Sequence, residues 1–175
     1  MPGRPERTPQ PDPRGPDRET AADDADPAYR RPESVLVVIH DAARACLLLE
    51  RVVPAGFWQS VTGSLQWGEA PADGAAREVV EETGLDPAGL REANVRRRFR
   101  ILPEWRHRYP PGVEENLEHL FYLELPEALP VTIDPREHRR YLWLPLEEAI
   151  ARVGSWTNRE ALERLRASAA NEGHE

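Results

Sequence analysis

Three glutamates, Glu78, Glu81 and Glu82, crowd into the stretch REVVEETG, residues 77 to 84, directly behind Arg77. The surrounding PADGAAREVVEETG reads as a helix, with Pro71 in its first turn and Gly84 as the left-handed residue just past its end. On such a helix Glu78 and Glu82 share one face, and Glu81 neighbours Glu78 at i+3. Like charges at this spacing cost roughly 0.2 to 0.5 kcal/mol per pair, and the helix C-terminus already carries about half a negative charge. A solvated acidic face gains nothing from placing its anions at that end. A divalent cation removes the conflict, because Mg²⁺ takes carboxylate oxygens, keeps some waters and accepts phosphate oxygens as further ligands. Arg77 can hold one of the carboxylates through a bidentate pair.

The rest of the composition limits what such a site can serve. A chain of 175 residues, 39% hydrophobic, suits one domain with a sizeable core. Its formal net charge of -8 argues against sequence-independent duplex binding, which needs many Lys and Arg to neutralise phosphates, so no nucleic-acid partner is expected. An anionic ligand must therefore meet a local basic patch or a metal. No apolar run approaches the roughly 20 residues of a spanning helix, and Met1 is followed by PGRPERTPQ rather than by an apolar leader. The expectation is an unexported protein of the cytoplasm with no membrane partner. The one cysteine, Cys46, lies in the apolar run ACLLLE and reads as a buried, inert thiol.

The elements that must position the carboxylates follow from the pattern of apolar residues. Residues 1 to 28 carry Pro, Asp, Arg and Glu with almost no large apolar side chain, which predicts a disordered tail. SVLVVIH (34 to 40) and ACLLLE (45 to 50), joined by DAAR, read as a β-hairpin, and FWQSVT (57 to 62) as a third strand. Further strands are expected at 94 to 102, 119 to 125 and 140 to 145. One helix is expected from about Leu146 to Val153. Another is expected to be capped by Thr157, with Glu160 closing a capping box and Ala161, Leu162 and Leu165 on its apolar side. The sum is an α/β domain over residues 29 to 168, a mixed sheet with helices packed on it, followed by a short tail from 169 to 175.

Residues 63 to 85, GSLQWGEAPADGAAREVVEETGL, fill every fixed position of G-x5-E-x7-R-E-U-x-E-E-x-G-U, where U is a bulky aliphatic residue: Gly63, Glu69, Arg77, Glu78, Val79, Glu81, Glu82, Gly84 and Leu85. That pattern is the Nudix box, and the chain resembles the Nudix hydrolases, which cleave diphosphate linkages attached to another moiety. The resemblance implies an α/β/α sandwich with a mixed β-sheet between helices, and Mg²⁺ or Mn²⁺ held by glutamates of the REVVEE helix. Water then attacks phosphorus while the metal neutralises the phosphate chain. Glu78 and Glu82 are the expected ligands, and Glu81 is either a ligand or the base that takes the water's proton. Glu69 is expected to support the loop or a second-shell water. With all three box carboxylates present, a non-catalytic binding module is disfavoured.

Segments outside the box resemble one branch of the family, bacterial enzymes of folate synthesis acting on dihydroneopterin triphosphate: RRPESVLVVIH (30 to 40), FWQSVTGSLQWGE (57 to 69), RHRYPPGVEENLEHLFYLELP (106 to 126) and SWTNREAL (155 to 162). A small-molecule pterin triphosphate is the implied substrate, with dATP or another nucleoside triphosphate as the alternative, since the two ring systems are alike in shape. By position in the resemblance, Arg30, Arg51, Thr62 and Ser155 are substrate contacts, and the segment Phe99, Arg100, Ile101, Leu102 borders the ligand. Glu137 is the implied further metal ligand, with Asp134, Glu115 and Glu118 as competitors. Phe99, Trp58 or Trp105 could stack on the ring, although each reads first as core packing, and half of the arginines at 96, 97, 98 and 100 are expected simply to face solvent. His107, His119 and His138 show no metal-ligand spacing and read as solvated or hydrogen-bonded. The chain is expected as a monomer or homodimer. The long tail and Trp67, where an acid would be ordinary, depart from the branch.

Overall fold

Two apolar runs found the sheet. Strands β1 (Glu33–Asp41) and β2 (Ala45–Arg51) are buried along almost their whole length and meet at a tight turn. The structure, a computed structural model, describes residues 26–172. The expected N-terminal tail therefore lies outside the described residues except for Asp26, Pro27 and Ala28. Then follow β3 (Trp58–Gln59), β4 (Val61–Ser64), α1 (Pro71–Thr83), β5 (Arg91–Arg100), a 3-10 turn (Pro103–Arg108), β6 (Glu115–Leu125), β7 (His138–Pro145), α2 (Leu146–Arg152) and α3 (Trp156–Glu172).

The strands form one mixed sheet. β1 runs parallel to β6, from Glu33 opposite Leu117 to Asp41 opposite Leu125, and every other pairing is antiparallel. Because side chains alternate along a strand, β1 feeds two cores. Val35, Val37 and Ile39 pack with Ala75 and Val79 of α1 on one face. Leu36 and Val38 pack with Ala149, Ile150, Ala161 and Leu162 of α2 and α3 on the other. Each such fully buried side chain contributes about 1.5–3 kcal/mol, so the central strands hold both helical layers. The result is the α/β/α sandwich. Cys46 is fully buried in the second core, and its burial pushes the thiol pKa up to about 12.

Several boundaries differ from expectation. The expected third strand is broken at Ser60. There the backbone N–H donates to Asn158 Oδ1 at 2.7 Å, while Asn158 Nδ2 donates to Ser60 Oγ at 2.9 Å. The chain consequently changes partners, β3 pairing with β2 and β4 with β1. The cap of α3 is Ser155 rather than Thr157: Ser155 Oγ accepts from the Asn158 N–H at 3.2 Å, Thr157 is buried, and Glu160 reaches Arg97 instead of closing a capping box. Helix α3 runs from Trp156 to Glu172. β5 begins at Arg91, and its register against β6 shifts between Glu92 and Arg96, where Asn94 takes a left-handed φ of 54°. As expected of alternation, Arg96, Arg98 and Arg100 are exposed while Arg97 is half-buried.

Asn158 is fully buried and satisfies two groups of Ser60 at once. Asn158→Ala leaves both without a partner, at about 1–3 kcal/mol for each. Urea denaturation should show a midpoint lowered by the equivalent of about 2 kcal/mol or more at unchanged m-value. An unchanged midpoint would show that this pair does not hold the strand break.

Candidate active site

Helix α1 approaches β4 so closely that a Cβ on Gly63 would stand 2.0 Å from Glu78 Cδ, so any larger residue there must displace the Glu78 carboxylate. Val79 and Ala75 anchor the apolar side of the helix, and the same contact turns Glu78 and Glu82 inward, 9% and 4% exposed. Glu81 stays in solvent, its side chain 58% exposed. The helix ends on Gly84 in the left-handed region (φ 67°), its N–H donating to the carbonyl of Val80.

Arg77 ties this helix to the preceding loop. Its Nε and Nη2 donate to both oxygens of Glu69 at 2.8 and 2.9 Å. Its Nη1 donates to Glu78 at 2.7 Å and to Glu81 at 3.2 Å, and Nη2 also reaches the Ser64 carbonyl at 3.2 Å. Glu69 in turn accepts from the Gln66 N–H at 2.9 Å, so it supports the loop, one of the two roles anticipated for it. This ring of carboxylates raises the Arg77 pKa further above its ordinary value.

Burial dominates the acids. Desolvation holds the Glu78 carboxyl above the ordinary range despite Arg77. Glu82 is raised well above it, first by burial and then by the charges of Glu78 and Glu137, against only the Thr62 backbone amide and the charge of Arg51. Glu82 Oε2 is buried without a hydrogen-bond partner. The cleft outside is lined by Glu78, Glu81, Glu82, Asp134, Arg136 and Glu137, with Arg136 paired to Asp134 at 2.7 Å. Among the described residues no three such side chains already converge at ligating distance. The donors are nonetheless all hard carboxylate oxygens around an orphaned buried one, which fits a Mg²⁺-like cation and not a softer metal.

Of the other expected site residues, Glu137 is exposed at the cleft, its carbonyl accepting from the Val52 N–H at 2.9 Å. Arg51 closes β2 opposite His138, half-buried, with its Nε donating to the Val53 carbonyl at 3.0 Å. Thr62 lies in β4, its Oγ1 donating to the Val35 carbonyl at 2.9 Å. Arg30 is exposed beside the 3-10 turn, its N–H donating to the Arg108 carbonyl at 2.7 Å. Phe99 is half-buried and Arg100 exposed at the end of β5, Ile101 is buried, and Leu102 is 50% exposed. Ser155 caps α3 on the opposite face of the sheet from α1. Of the competitors for the metal, Asp134 lines the cleft, Glu115 is exposed on β6, and Glu118 is buried away from the cleft.

Trp58 packs in the core, as the sequence reading favoured, whereas one histidine expectation needs correction. Trp58 is 3% exposed in the core, with Arg140 and Arg152 over its ring at 5.2 and 5.6 Å, so it has no face free for a ligand. His138 is neither solvated nor hydrogen-bonded: both ring nitrogens are buried without a partner, and Nε2 stands 3.6 Å from Glu82 Oε2. Burial lowers its pKa, so it sits beside the acid as a neutral ring. Nothing in DPREHRRYLW marks His138 as buried, because its environment is made by β2 and α1, distant in sequence. His107 is exposed, and His119 is buried with Nε2 at 2.6 Å from Glu33.

Comparison with known proteins agrees with this geometry. The NUDIX domain model matches residues 30–165. The dihydroneopterin triphosphate diphosphatase of Escherichia coli K12 is 40% identical over 150 residues, 83% of this chain and 99% of that one. The protein of the same name from Haemophilus influenzae is 36% identical over 143 residues, covering 78% and 88%. The solved E. coli dihydroneopterin triphosphate pyrophosphohydrolase superposes with a TM-score of 0.71 at 40% identity, over 78% of this chain and 96% of that one. With the box carboxylates inward on α1, Arg77 locking them to the loop, and these matches spanning the sandwich, the chain belongs to the Nudix hydrolase family.

Proposed function

We propose that the chain hydrolyses 7,8-dihydroneopterin triphosphate to the monophosphate and pyrophosphate in the cytoplasm, with Mg²⁺ as its metal and Mn²⁺ as a substitute. The observation that supports this substrate is the 40% identity running through 99% of a relative named for it, well beyond the box that fixes the chemistry. In this reading Glu78 and Glu82 hold the metal, with Glu137 as the further ligand. Bound there, the cation neutralises the phosphate chain and lowers the pKa of the attacking water.

The chain's own groups do the rest. Arg77 fixes the Glu78 carboxylate and braces the loop, which holds both donors in one geometry. Glu81, in solvent at the edge of the cluster, takes the water's proton. Arg51 beside Glu82 and Arg30 near the 3-10 turn meet the negative charge of the triphosphate, which an acidic protein must neutralise locally. Thr62, Ser155 and the segment Phe99 to Leu102 contact the rest of the substrate.

Three measurements test this reading. Steady-state kcat/KM, followed as pyrophosphate release, should be higher for dihydroneopterin triphosphate than for dATP; a clear preference for dATP would favour a nucleotide-pool role. Glu82→Gln should lower kcat in Mg²⁺ by about 10²-fold or more without lowering the metal-free melting temperature, since it removes a buried charge. Near-normal turnover would contradict the ligand assignment. Gly63→Ala places a methyl on Glu78 and should depress activity by about 10-fold or more through displacement of that carboxylate, which near-native Mg²⁺ dependence would refute.

A further inference from the structure

The turn into β7 sends two neighbouring side chains to different places. Glu137, directly before the strand, is exposed at the cleft, whereas His138, the first residue of the strand, is 3% exposed. The backbone there is fixed on both sides. The N–H groups of Glu137 and His138 donate to the Asp134 carbonyl at 3.1 and 2.9 Å, and His138 pairs with Arg51 where the register of β2 shifts. Main-chain bonds thus hold the imidazole beside Glu82 of α1.

Packing does not account for the ring. Both of its nitrogens are buried, and among the described residues neither has a hydrogen-bond partner. An imidazole so placed loses its hydrogen bonds to water and gains none, a cost that an apolar side chain of similar volume avoids. A second orphan stands next to it. Glu82 Oε2 is also buried without a partner, 3.6 Å from His138 Nε2. The two complement each other: a neutral imidazole carries one N–H, and a carboxylate beside Nε2 favours the tautomer that has it there. The gap exceeds a hydrogen bond by about half an ångström, and the last torsion of a glutamate is soft enough to close it.

Carboxylates that ligate a metal are themselves held by hydrogen bonds, which set the oxygen that faces the ion. Arg77 serves Glu78 in this way at 2.7 Å, and for Glu82 the side-chain donor beside the orphaned oxygen is His138. Resting on the reading of Glu82 as a metal ligand, we propose that His138 is a positioning residue of the metal site, its Nε2–H donating to Glu82 Oε2 when a divalent cation takes the other oxygen. In this role the ring touches neither substrate nor metal. Its effect runs through Glu82 and is read in cation affinity.

The experiment measures cation binding by the full chain without substrate, following free Mn²⁺ by its EPR signal with Mg²⁺ as competitor, alongside the metal-free urea midpoint of each variant. His138→Leu should bind both ions about 10- to 100-fold more weakly, while its metal-free midpoint holds or rises because two orphaned nitrogens are gone. His138→Gln, whose amide N–H extends to the neighbourhood of Nε2, should restore most of the affinity. A purely structural histidine gives the reverse, a lower midpoint with unchanged affinity, and that result overturns the proposal. Equal weakening in the Leu and Gln variants overturns it too. Should His138→Leu fail to fold, His138→Asn, whose shorter amide stops near the Nδ1 position, must bind Mn²⁺ more weakly than His138→Gln, and equal affinities overturn the proposal. Glu82→Gln is the control on the ligand reading. If it keeps native affinity, Glu82 is not a ligand and both readings fall; if it loses affinity while His138→Leu keeps it, the role of His138 alone falls.

Discussion

The contact between α1 and β4 governs the rest of the molecule. By removing a Cβ at Gly63, the sequence lets the helix sit close enough that Glu78 and Glu82 point into protein and not into water. Two buried anions at the negative end of a helix dipole oppose folding on every local count. Arg77 relieves part of that by engaging Glu78, Glu81 and Glu69 together, but among the described residues none donates a hydrogen bond to Glu82 Oε2. The arrangement makes physical sense as a site prepared for a cation, with its cost carried by two apolar layers on either side of β1.

The sheet also separates two groups of buried acids. Its α1 face carries Glu78 and Glu82, and its α3 face carries Glu118 beneath Thr157. The switch of partners at Ser60 makes this possible: β4 leaves β2 for β1, which brings Thr62 beside Leu36 on one face and its amide to Glu82 on the other. Asn158, at the start of α3, imposes that switch, so the helix on one face of the sheet also sets the strand that borders Glu82 on the other.

What could be read in advance divides along the same physical line. The α1 helix, its left-handed stop at Gly84 and the inward carboxylates follow from spacing, because each depends on residues within one or two turns. The long strands follow from unbroken apolar runs, since a strand buried on both faces needs little context. The break at Ser60, the true cap at Ser155 and the burial of His138 were not legible. Each depends on a partner far along the chain: Asn158 for Ser60, Arg97 for the Glu160 that would have closed a box behind Thr157, and the packing of β2 and α1 around His138.

The same buried acids tie stability to pH and to metal. A carboxyl whose folded pKa is raised binds its proton more tightly in the native state, so its burial costs nothing below the unfolded value near 4.5. That penalty grows as pH rises from there through the folded pKa, and is fully present above it. Glu78 and Glu82 both act in this direction, which makes the metal-free fold weaker at neutral pH than in mild acid as far as these groups are concerned. A cation that binds the native carboxylates but not the unfolded chain opposes the penalty in the range where it is largest. Stability thus depends on the electrostatic strain at the end of α1, which the neutral His138 ring beside Glu82 does not relieve.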